Sequence, residues 1–324
     1  MKIKEQPILF EPYLKSVIWG GNKICNYKGI PQTQENIGES WEISAVPGHV
    51  SIVAEGPYKG QSLNDLINEF GEDLLGKEVV KKYGKEFPLL IKIIDANDNL
   101  SVQVHPDDSL AKERHNSLGK TEMWYIISVD EGAKIYAGLK DQLNPEDYVK
   151  RVEEGTFADA LATHDSSPGD VFFLPAGRVH AIGAGNLLAE IQESSDITYR
   201  IYDYDRRDAN GNARELHTDL AKDAIDYTLY DNYKEKAPSQ EERNVTLVNC
   251  EHFVTQRLIV EGETGVSLSD DSFHVLICLE GDIEIQYPEG AMKLRAGHTV
   301  LLPAVMKEIS LTGTGTLLLT GAGE

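Results

Sequence analysis

Cysteine is scarce in this chain of 324 residues, which contains three: Cys25, Cys250 and Cys278. An odd number of cysteines at such distant positions argues against a disulfide framework and matches no zinc–cysteine motif. Cys278 lies in an apolar run of the strand type, where we expect its side chain to be buried. We therefore predict a protein of a reducing compartment.

The sequence also lacks long hydrophobic runs and an excess of positive charge. Residues 1–6 contain no apolar segment of the signal-peptide type, and no stretch approaches the length that spans a membrane. The formal net charge of −22 at pH 7 disfavours nucleic acid as a partner, and an anionic ligand would need a local basic pocket. These features predict a soluble, cytoplasmic protein with neither a nucleic-acid partner nor a membrane contact.

Hydrophobic residues make up 41% of the chain. Their spacing is typical of strands in some segments and of helices in others. Strand patterns bounded by glycine and proline extend to about residue 58 and return from Val245 to the end. Ser62 is the predicted N-cap of one helix and Pro145 the first residue of another. Helices are predicted over residues 62–85, 107–118, 144–164 and 214–229, and strands over 87–95, 122–127, 134–137, 170–174, 187–193 and 198–204. The sequence therefore predicts a mainly β fold with helical insertions in its N-terminal part.

One pattern near the end of the chain repeats an earlier one. Residues 168–176 align with residues 296–304, and residues 129–135 resemble residues 278–284 in the same order. Glu308 then stands in the later copy where His180 stands in the earlier one. The repeat predicts two similar β-barrels, of which the first contains a metal site and the second does not. Chance similarity of short strand–turn pieces is the alternative.

Four residues are of the types that bind divalent metals. Gln103 and His105 lie in the run Ser-Val-Gln-Val-His-Pro, and they should share a face because side chains alternate along a strand. His180 follows directly after a Pro/Gly corner, and Glu122 opens an apolar strand. Nitrogen and oxygen donors of these kinds form a plausible ligand set for a divalent metal.

The pattern G-x5-P-x-G-x2-H, formed by Gly169, Pro175, Gly177 and His180, resembles a motif of the cupin superfamily of double-sheet jelly-roll barrels. Further segments resemble the short bacterial form of type I mannose-6-phosphate isomerase, and they follow in family order from residue 15 to about residue 210. The segments are Lys15-Ser-Val-Ile-Trp-Gly-Gly21, Gly38-Glu-Ser-Trp-Glu-Ile-Ser44, Pro88-Leu-Leu-Ile-Lys-Ile-Ile-Asp-Ala96, Leu100-Ser-Val-Gln-Val-His-Pro-Asp107, Lys120-Thr-Glu-Met-Trp124 and Glu190-Ile-Gln-Glu-Ser-Ser-Asp-Ile-Thr-Tyr-Arg-Ile-Tyr-Asp203. The ordered set is specific to that family.

The resemblance implies an aldose–ketose isomerase that interconverts mannose 6-phosphate and fructose 6-phosphate by proton transfer through an enediolate. It implies a catalytic metal-binding cupin domain over residues 1–235 and a degenerate cupin domain without metal ligands over residues 240–324. The charged segment 234–243 is the predicted linker. The sequence does not indicate an oligomeric state.

The resemblance also implies roles for individual residues. One Zn²⁺ per chain would be held by the four residues named above: Gln103, His105, Glu122 and His180. Arg200 would belong to the active site with Asp196 beside it, Lys92 and Lys120 would lie near the substrate, and Trp19 could stack on a sugar face. Metal-bound water, Lys120 and Asp196 are all candidate proton carriers. The segment Gly119-Lys120-Thr121-Glu122 departs from the His-then-Lys-Pro-Glu pattern of longer family members, so no role is taken from that histidine.

Simpler interpretations stand beside these roles. Arg200 could face outward in an ion pair with Asp203 or Asp205, Lys92 could reach solvent, and Trp19 could be a core residue. Two other functions are also open. A cupin oxygenase usually presents His-x-His, so the glutamine at position 103 argues against it, and oxygen consumption would discriminate. A non-catalytic sugar-binding cupin would respond to sugar phosphate without turnover.

Overall fold

The computed structural model describes residues 2–208, 210–236, 238–239 and 241–323. Strands predominate in these ranges, as predicted. The helices are α1 Lys23–Lys28, α2 Leu63–Phe70, α3 Glu72–Leu75, α4 Lys77–Tyr83, α5 Asp108–His115, α6 Pro145–Glu153 and α7 Thr218–Ala224, with a 3-10 turn at Phe157–Ala160. The strands are β1 Ile8–Leu9, β2 Tyr13–Gly21, β3 Ile37–Ile43, β4 Leu89–Ala96, β5 Val102–Val104, β6 Glu122–Val129, β7 Lys134–Leu139, β8 Leu161–Asp165, β9 Val171–Leu174, β10 His180–Ile182, β11 Asn186–Glu193, β12 Tyr199–Tyr202, β13 Asn244–Asn249, β14 Phe253–Ser267, β15 His274–Tyr287, β16 Gly290–Arg295, β17 Thr299–Leu302 and β18 Glu308–Ala322.

The strands form three sheets. A six-stranded sheet has the order β2-β3-β4-β11-β6-β9, and a five-stranded sheet has the order β12-β5-β10-β7-β8. A seven-stranded sheet contains the C-terminal strands in the order β1-β17-β15-β18-β14-β13, with β16 paired to β15. Within the described ranges each sheet is open at its edges, so the two barrels of the prediction are not confirmed.

The six-stranded sheet is covered on both faces. Trp19 and Trp124 of this sheet share a buried cluster with Ile135 and Ile182 of the five-stranded sheet, so these two sheets pack face to face. On the opposite face, side chains of β3, β4 and β11 pack in a second cluster against the helices α2 to α4 and the C-terminal sheet. The central strands β4 and β11 are buried along their whole length for this reason.

Two helix starts agree with the sequence prediction. The Ser62 hydroxyl accepts the backbone N–H of Asp65 at 3.1 Å, and the Asp65 carboxylate accepts the Ser62 N–H at 3.0 Å. Pro145 begins α6. The region 62–85 nevertheless forms three helices rather than one. Gly71, between α2 and α3, has a φ of 48°, and Gly76, between α3 and α4, has a φ of 93°, so neither glycine continues a helix.

Two predicted helices are too long. The helix expected over 144–164 ends at Glu153, and Leu161–Asp165 instead forms β8, which pairs with β7 and completes the edge of the five-stranded sheet. Here the long-range pairing overrides local helical spacing. The helix expected over 214–229 extends only over Thr218–Ala224.

One of the two repeated segments forms a strand–turn–strand unit in both places, whereas residues 129–135 join two strands and residues 278–284 lie within the single strand β15. Strand β9 leads to β10, which begins at His180, and β17 leads to β18, which begins at Glu308. Cys278, in the second half, is fully buried as predicted. No helix in the described part of the chain is long and apolar enough to cross a membrane.

The predicted linker lies against the C-terminal sheet. The buried Arg257 guanidinium donates to the carbonyl oxygens of Ser239 at 2.6 Å and of Glu242 at 2.9 Å. Gln240, the predicted first residue of the second domain, lies outside the described residues, as do Met1 and Glu324 at the predicted outer limits. The domain boundaries therefore stay predictions.

Candidate metal centre and substrate cleft

Three predicted metal ligands converge between the six-stranded and five-stranded sheets. Glu122 begins β6, His180 begins β10, and His105 directly follows β5. One donor atom of each lies within 4.8 Å of the other two, and each residue is at most 1% exposed. The His180 Nε2 lies 3.2 Å from Glu122 Oε1, and the His105 Nε2 lies 3.6 Å from Glu122 Oε2. Two imidazole nitrogens facing a buried carboxylate are typical of a divalent metal site.

Backbone carbonyls orient both imidazole rings. The Nδ1 of His105 lies 2.9 Å from the Ile197 carbonyl oxygen, and the Nδ1 of His180 lies 2.9 Å from that of Arg178. Because a carbonyl oxygen only accepts, each Nδ1 carries the proton and each Nε2 presents a lone pair toward Glu122. Burial lowers the pKa of His180 to about 4 and lowers the pKa of His105 well below its usual value. Both rings are therefore neutral at pH 7, as metal ligands must be.

Gln103 completes the predicted set. It pairs with His180 in the register of β5 and β10, and its side-chain amide nitrogen lies 3.2 Å from the His180 Nε2. The oxygen and nitrogen of an amide have nearly the same shape, so a rotation by 180° brings the Gln103 oxygen to that position. The four predicted ligands are thus together in one place.

The surroundings of the Glu122 carboxylate favour a bound cation. Among the described residues, both oxygens of this carboxylate are buried without a hydrogen bond of acceptable geometry, although Lys120 Nζ lies 3.0 Å from Oε2. Burial raises the pKa of Glu122, and the charge of Lys120 opposes the rise. A buried carboxylate with unsatisfied oxygens is costly unless a further positive charge compensates it. The donor set of this centre therefore suits a divalent metal.

A cleft of about 300 Å³ adjoins the ligands. All the other residues that the sequence assigned to the site line it, together with Gln103: Trp19, Lys92, Lys120, Asp196 and Arg200. Five cationic side chains and three carboxylates face the cleft: Lys15, Lys92, Lys120, Arg200 and Arg214, and Glu39, Glu190 and Asp196. In a chain whose net charge is −22, such a local excess of cations suits an anionic ligand. A larger cavity, of about 870 Å³, lies between α4 and the C-terminal sheet, but none of the predicted site residues lines it.

Lys92 does not reach solvent; it is 4% exposed and forms a buried ion pair. Its Nζ lies 2.9 Å from Glu190 Oε1 and 3.8 Å from Glu39 Oε2, while Trp124 Nε1 donates to the other oxygen of Glu190 at 2.9 Å. Burial opposes both charges of the pair, yet the charge of Lys92 lowers the pKa of Glu190 to about 2, and Glu190 in turn raises the pKa of Lys92. The pair is therefore fully ionised at neutral pH.

Arg200 faces the cleft rather than the acidic residues that follow it in sequence. Asp203 is instead bound by Arg206 Nη2 at 2.6 Å and by Arg214 Nε at 2.7 Å. An Arg200 Nη1–H donates to the Glu215 carbonyl oxygen at 2.9 Å. Burial and the neighbouring Arg214 lower the pKa of Arg200. Among the described residues, the Arg200 guanidinium forms no ion pair with a carboxylate. It can therefore bind a ligand oxygen.

Comparison with known proteins identifies the family of this chain. Residues 8–128 match the family described as phosphomannose isomerase type I, catalytic domain, and residues 243–320 match the mannose-6-phosphate isomerase cupin domain. The mannose-6-phosphate isomerase of Streptococcus mutans is 35% identical over 98% of this chain and 99% of its own length. This chain belongs to the type I phosphomannose isomerase family.

Other relatives extend the similarity to this family. A mannose-6-phosphate isomerase of Bacillus subtilis is 35% identical over 95% of this chain and 96% of its own length. The crystal structure of the mannose 6-phosphate isomerase from Bacillus subtilis has a TM-score of 0.87 at 36% identity, covering 97% of this chain and 99% of that chain. The family resemblance noted in the sequence is therefore confirmed.

The remaining predicted site residues differ in burial. Trp19 is 5% exposed, so it is both a core residue and part of the cleft wall. Lys120 is buried, with its Nζ 3.2 Å from the His105 Nε2, whereas Asp196 is exposed at the cleft. Lys120 therefore lies next to the proposed ligands, and Asp196 lies toward solvent.

Several cleft residues were not predicted from the sequence, among them the buried Glu190. The residues not predicted include Lys15, Glu39, Ser101, Glu190, Thr198 and Arg214. Glu190 had a signal of its own, because it is a carboxylate within an apolar strand, as Lys92 is a cation within another. Buried charges occur in pairs, and these two residues are partners in the register of β4 and β11.

Proposed function

We propose that this phosphomannose isomerase family member interconverts mannose 6-phosphate and fructose 6-phosphate by proton transfer between C1 and C2 through an enediolate. The observation that carries the proposal is the cation-lined cleft whose wall includes Gln103, 3.2 Å from the His180 Nε2, and Lys120, 3.0 Å from Glu122 Oε2. Its volume, about 300 Å³, is at the lower end of the range for small-molecule sites. The names of the relatives agree with this reaction.

Gln103, His105, Glu122 and His180 would hold one Zn²⁺. A divalent metal there would polarise the substrate carbonyl and offset negative charge on the oxygens of the enediolate. Zinc has no redox chemistry, which suits an isomerisation. Two neutral imidazoles, one amide and one carboxylate leave a net positive centre, and such a centre favours an anionic intermediate.

The cleft residues would bind the substrate and move its proton. Arg200 is proposed to donate hydrogen bonds to an enediolate or phosphate oxygen through its planar guanidinium. Lys120 and Asp196 are the proposed proton carriers, Lys120 beside the metal ligands and Asp196 on the solvent side. Trp19 is proposed to contact the sugar face. Lys92 is proposed to donate a hydrogen bond to the substrate while its charge is balanced by Glu190.

The test is to follow mannose 6-phosphate by NMR in D₂O after the metal-loaded protein is added. We expect fructose 6-phosphate to form and deuterium to appear at its C1, because a carried proton exchanges with solvent. Absence of fructose 6-phosphate would refute the isomerase proposal. Oxygen consumption in the same sample would indicate the oxygenase, and a raised melting temperature without turnover would indicate a sugar-binding cupin. Fructose 6-phosphate without deuterium would contradict proton transfer by solvent-exchanging residues.

A further inference from the structure

A second cluster of charged side chains contacts the chain segment that leads to Glu122. It consists of Asp108, Glu193 and His252, with one donor atom of each within 4.8 Å of the other two. Asp108 begins α5 and Glu193 ends β11, whereas His252 lies between β13 and β14 in the C-terminal part of the chain. None of the three lines the substrate cleft.

Glu193 holds the backbone of the segment that carries two site residues. Its Oε2 accepts the N–H of Thr121 at 2.6 Å, and its own N–H donates to the Thr121 carbonyl oxygen at 3.1 Å. Thr121 lies between Lys120 and Glu122, whose side chains meet at the metal centre. The backbone of Thr121, which Glu193 holds, therefore sets the positions of Lys120 and Glu122.

Asp108 holds the start of the same segment. Its Oδ1 accepts the N–H of Gly119 at 2.7 Å. Two carboxylates, those of Asp108 and Glu193, thus bind the backbone of residues 119 and 121.

His252 is the third member of this cluster, and its ring lies between two carboxylates. Its Nδ1 lies 3.1 Å from Glu193 Oε1, and its Nε2 lies 3.3 Å from Glu251 Oε1. Burial opposes protonation of the ring, but the hydrogen bond to Glu193 and the surrounding acidic charges raise the pKa of His252. The ring thus connects the C-terminal part of the chain to a buried carboxylate of the metal-binding part.

We propose that Glu193 and His252 are positioning residues for the metal centre. Glu193 sets the backbone of Thr121, and through it the placement of Lys120 and Glu122, while His252 keeps Glu193 in place. The C-terminal half of the chain thereby acts on a site to which it contributes no ligand. The inference rests on the proposed function in that it takes Glu122 as a metal ligand and Lys120 as a substrate-facing group.

The test compares His252→Ala with His252→Asn, whose amide nitrogen can donate to Glu193 from nearly the position of Nδ1. Zinc affinity is measured by titration of metal-free protein, and kcat and KM are measured with mannose 6-phosphate. We expect His252→Ala to weaken zinc binding by about 10-fold and to lower kcat more than it changes KM, since supporting residues of metal ligands have effects of this size. His252→Asn should restore most of both.

Tyr27→Phe is the matched control. The Tyr27 hydroxyl donates to the Leu279 carbonyl oxygen at 2.7 Å, so it joins the same two parts of the chain without involving residues 119–122. This variant should lower the melting temperature but leave zinc affinity and kcat unchanged.

Three results would overturn the inference. If His252→Ala keeps the zinc affinity and kcat of the wild-type protein, the contact of His252 with Glu193 has only a structural role. Failure of His252→Asn to restore affinity would show that the hydrogen bond to Glu193 is not the cause. If the wild-type protein binds a second equivalent of zinc and His252→Ala does not, the cluster of Asp108, Glu193 and His252 is a cation site instead. If the wild-type protein shows no isomerase activity, the proposed function fails, but zinc affinity still decides the positioning role of His252.

Discussion

His180→Ala is expected to lose the bound metal and the isomerase activity together. The variant removes a neutral imidazole whose Nε2 lies 3.2 Å from the Glu122 carboxylate and whose orientation is fixed by the Arg178 carbonyl oxygen. Loss of supporting residues alone weakens metal sites by roughly 10- to 100-fold, so loss of a ligand should weaken zinc binding by about 100-fold or more. Metal content by elemental analysis and a coupled assay for fructose 6-phosphate, on the same preparation, measure both effects.

His274→Ala is the matched control for this prediction. His274 is a half-buried histidine whose pKa burial also lowers to about 4, but it lies in β15 and lines the cavity between α4 and the C-terminal sheet. This variant should retain metal and turnover. Melting temperatures of both variants show that each is folded. Normal turnover by a folded His180→Ala protein would show that the metal centre is assigned to the wrong residues.

Arg200→Ala is expected to retain the metal and lose rate. Arg200 lines the cleft, but it is not one of the residues whose donor atoms form the metal cluster. Removal of one hydrogen-bond donor to a developing oxyanion costs roughly 100- to 1,000-fold in kcat, and we expect a loss of that size here. Steady-state kinetics with mannose 6-phosphate, together with metal content, separate this effect from metal loss.

Arg207→Ala is the control for Arg200, because Arg207 is an exposed arginine nearby in sequence that does not line the cleft. It should leave kcat and metal content unchanged. Arg200→Lys should recover part of the rate, since a lysine keeps the charge but not the planar fork. An Arg200→Ala protein with unchanged kcat and KM would remove Arg200 from the site.

Part of the arrangement of the proposed metal ligands could be predicted from the sequence because it depends on short-range rules. Side chains two residues apart on a strand share a face, so the side chains of Gln103 and His105 are expected to point the same way. The strand predicted over 170–174 ends before the Pro/Gly corner, and His180 follows that corner, as the pattern indicates. Convergence with Glu122 depends on the sheets as well, and there the family resemblance supplied what spacing could not.

The features that were missed depend on contacts between distant parts of the chain. Glu190 and Lys92 are separated by 98 residues, and their pairing follows from the register of β4 and β11, which no local pattern fixes. The contact of His252 with Glu193 likewise depends on how the C-terminal half packs. The strand β8 replaced the end of a predicted helix because it pairs with β7. Local spacing contains no information about such partners.

The central claim is that the chain is an isomerase whose activity depends on the metal held by Gln103, His105, Glu122 and His180. Its most direct test is a coupled assay for fructose 6-phosphate formed from mannose 6-phosphate, before and after chelation, with metal content measured on the same sample. We expect turnover to disappear with the metal and to return when one Zn²⁺ per chain is restored. Turnover that persists in metal-free protein, or a metal-loaded protein without turnover, would contradict it.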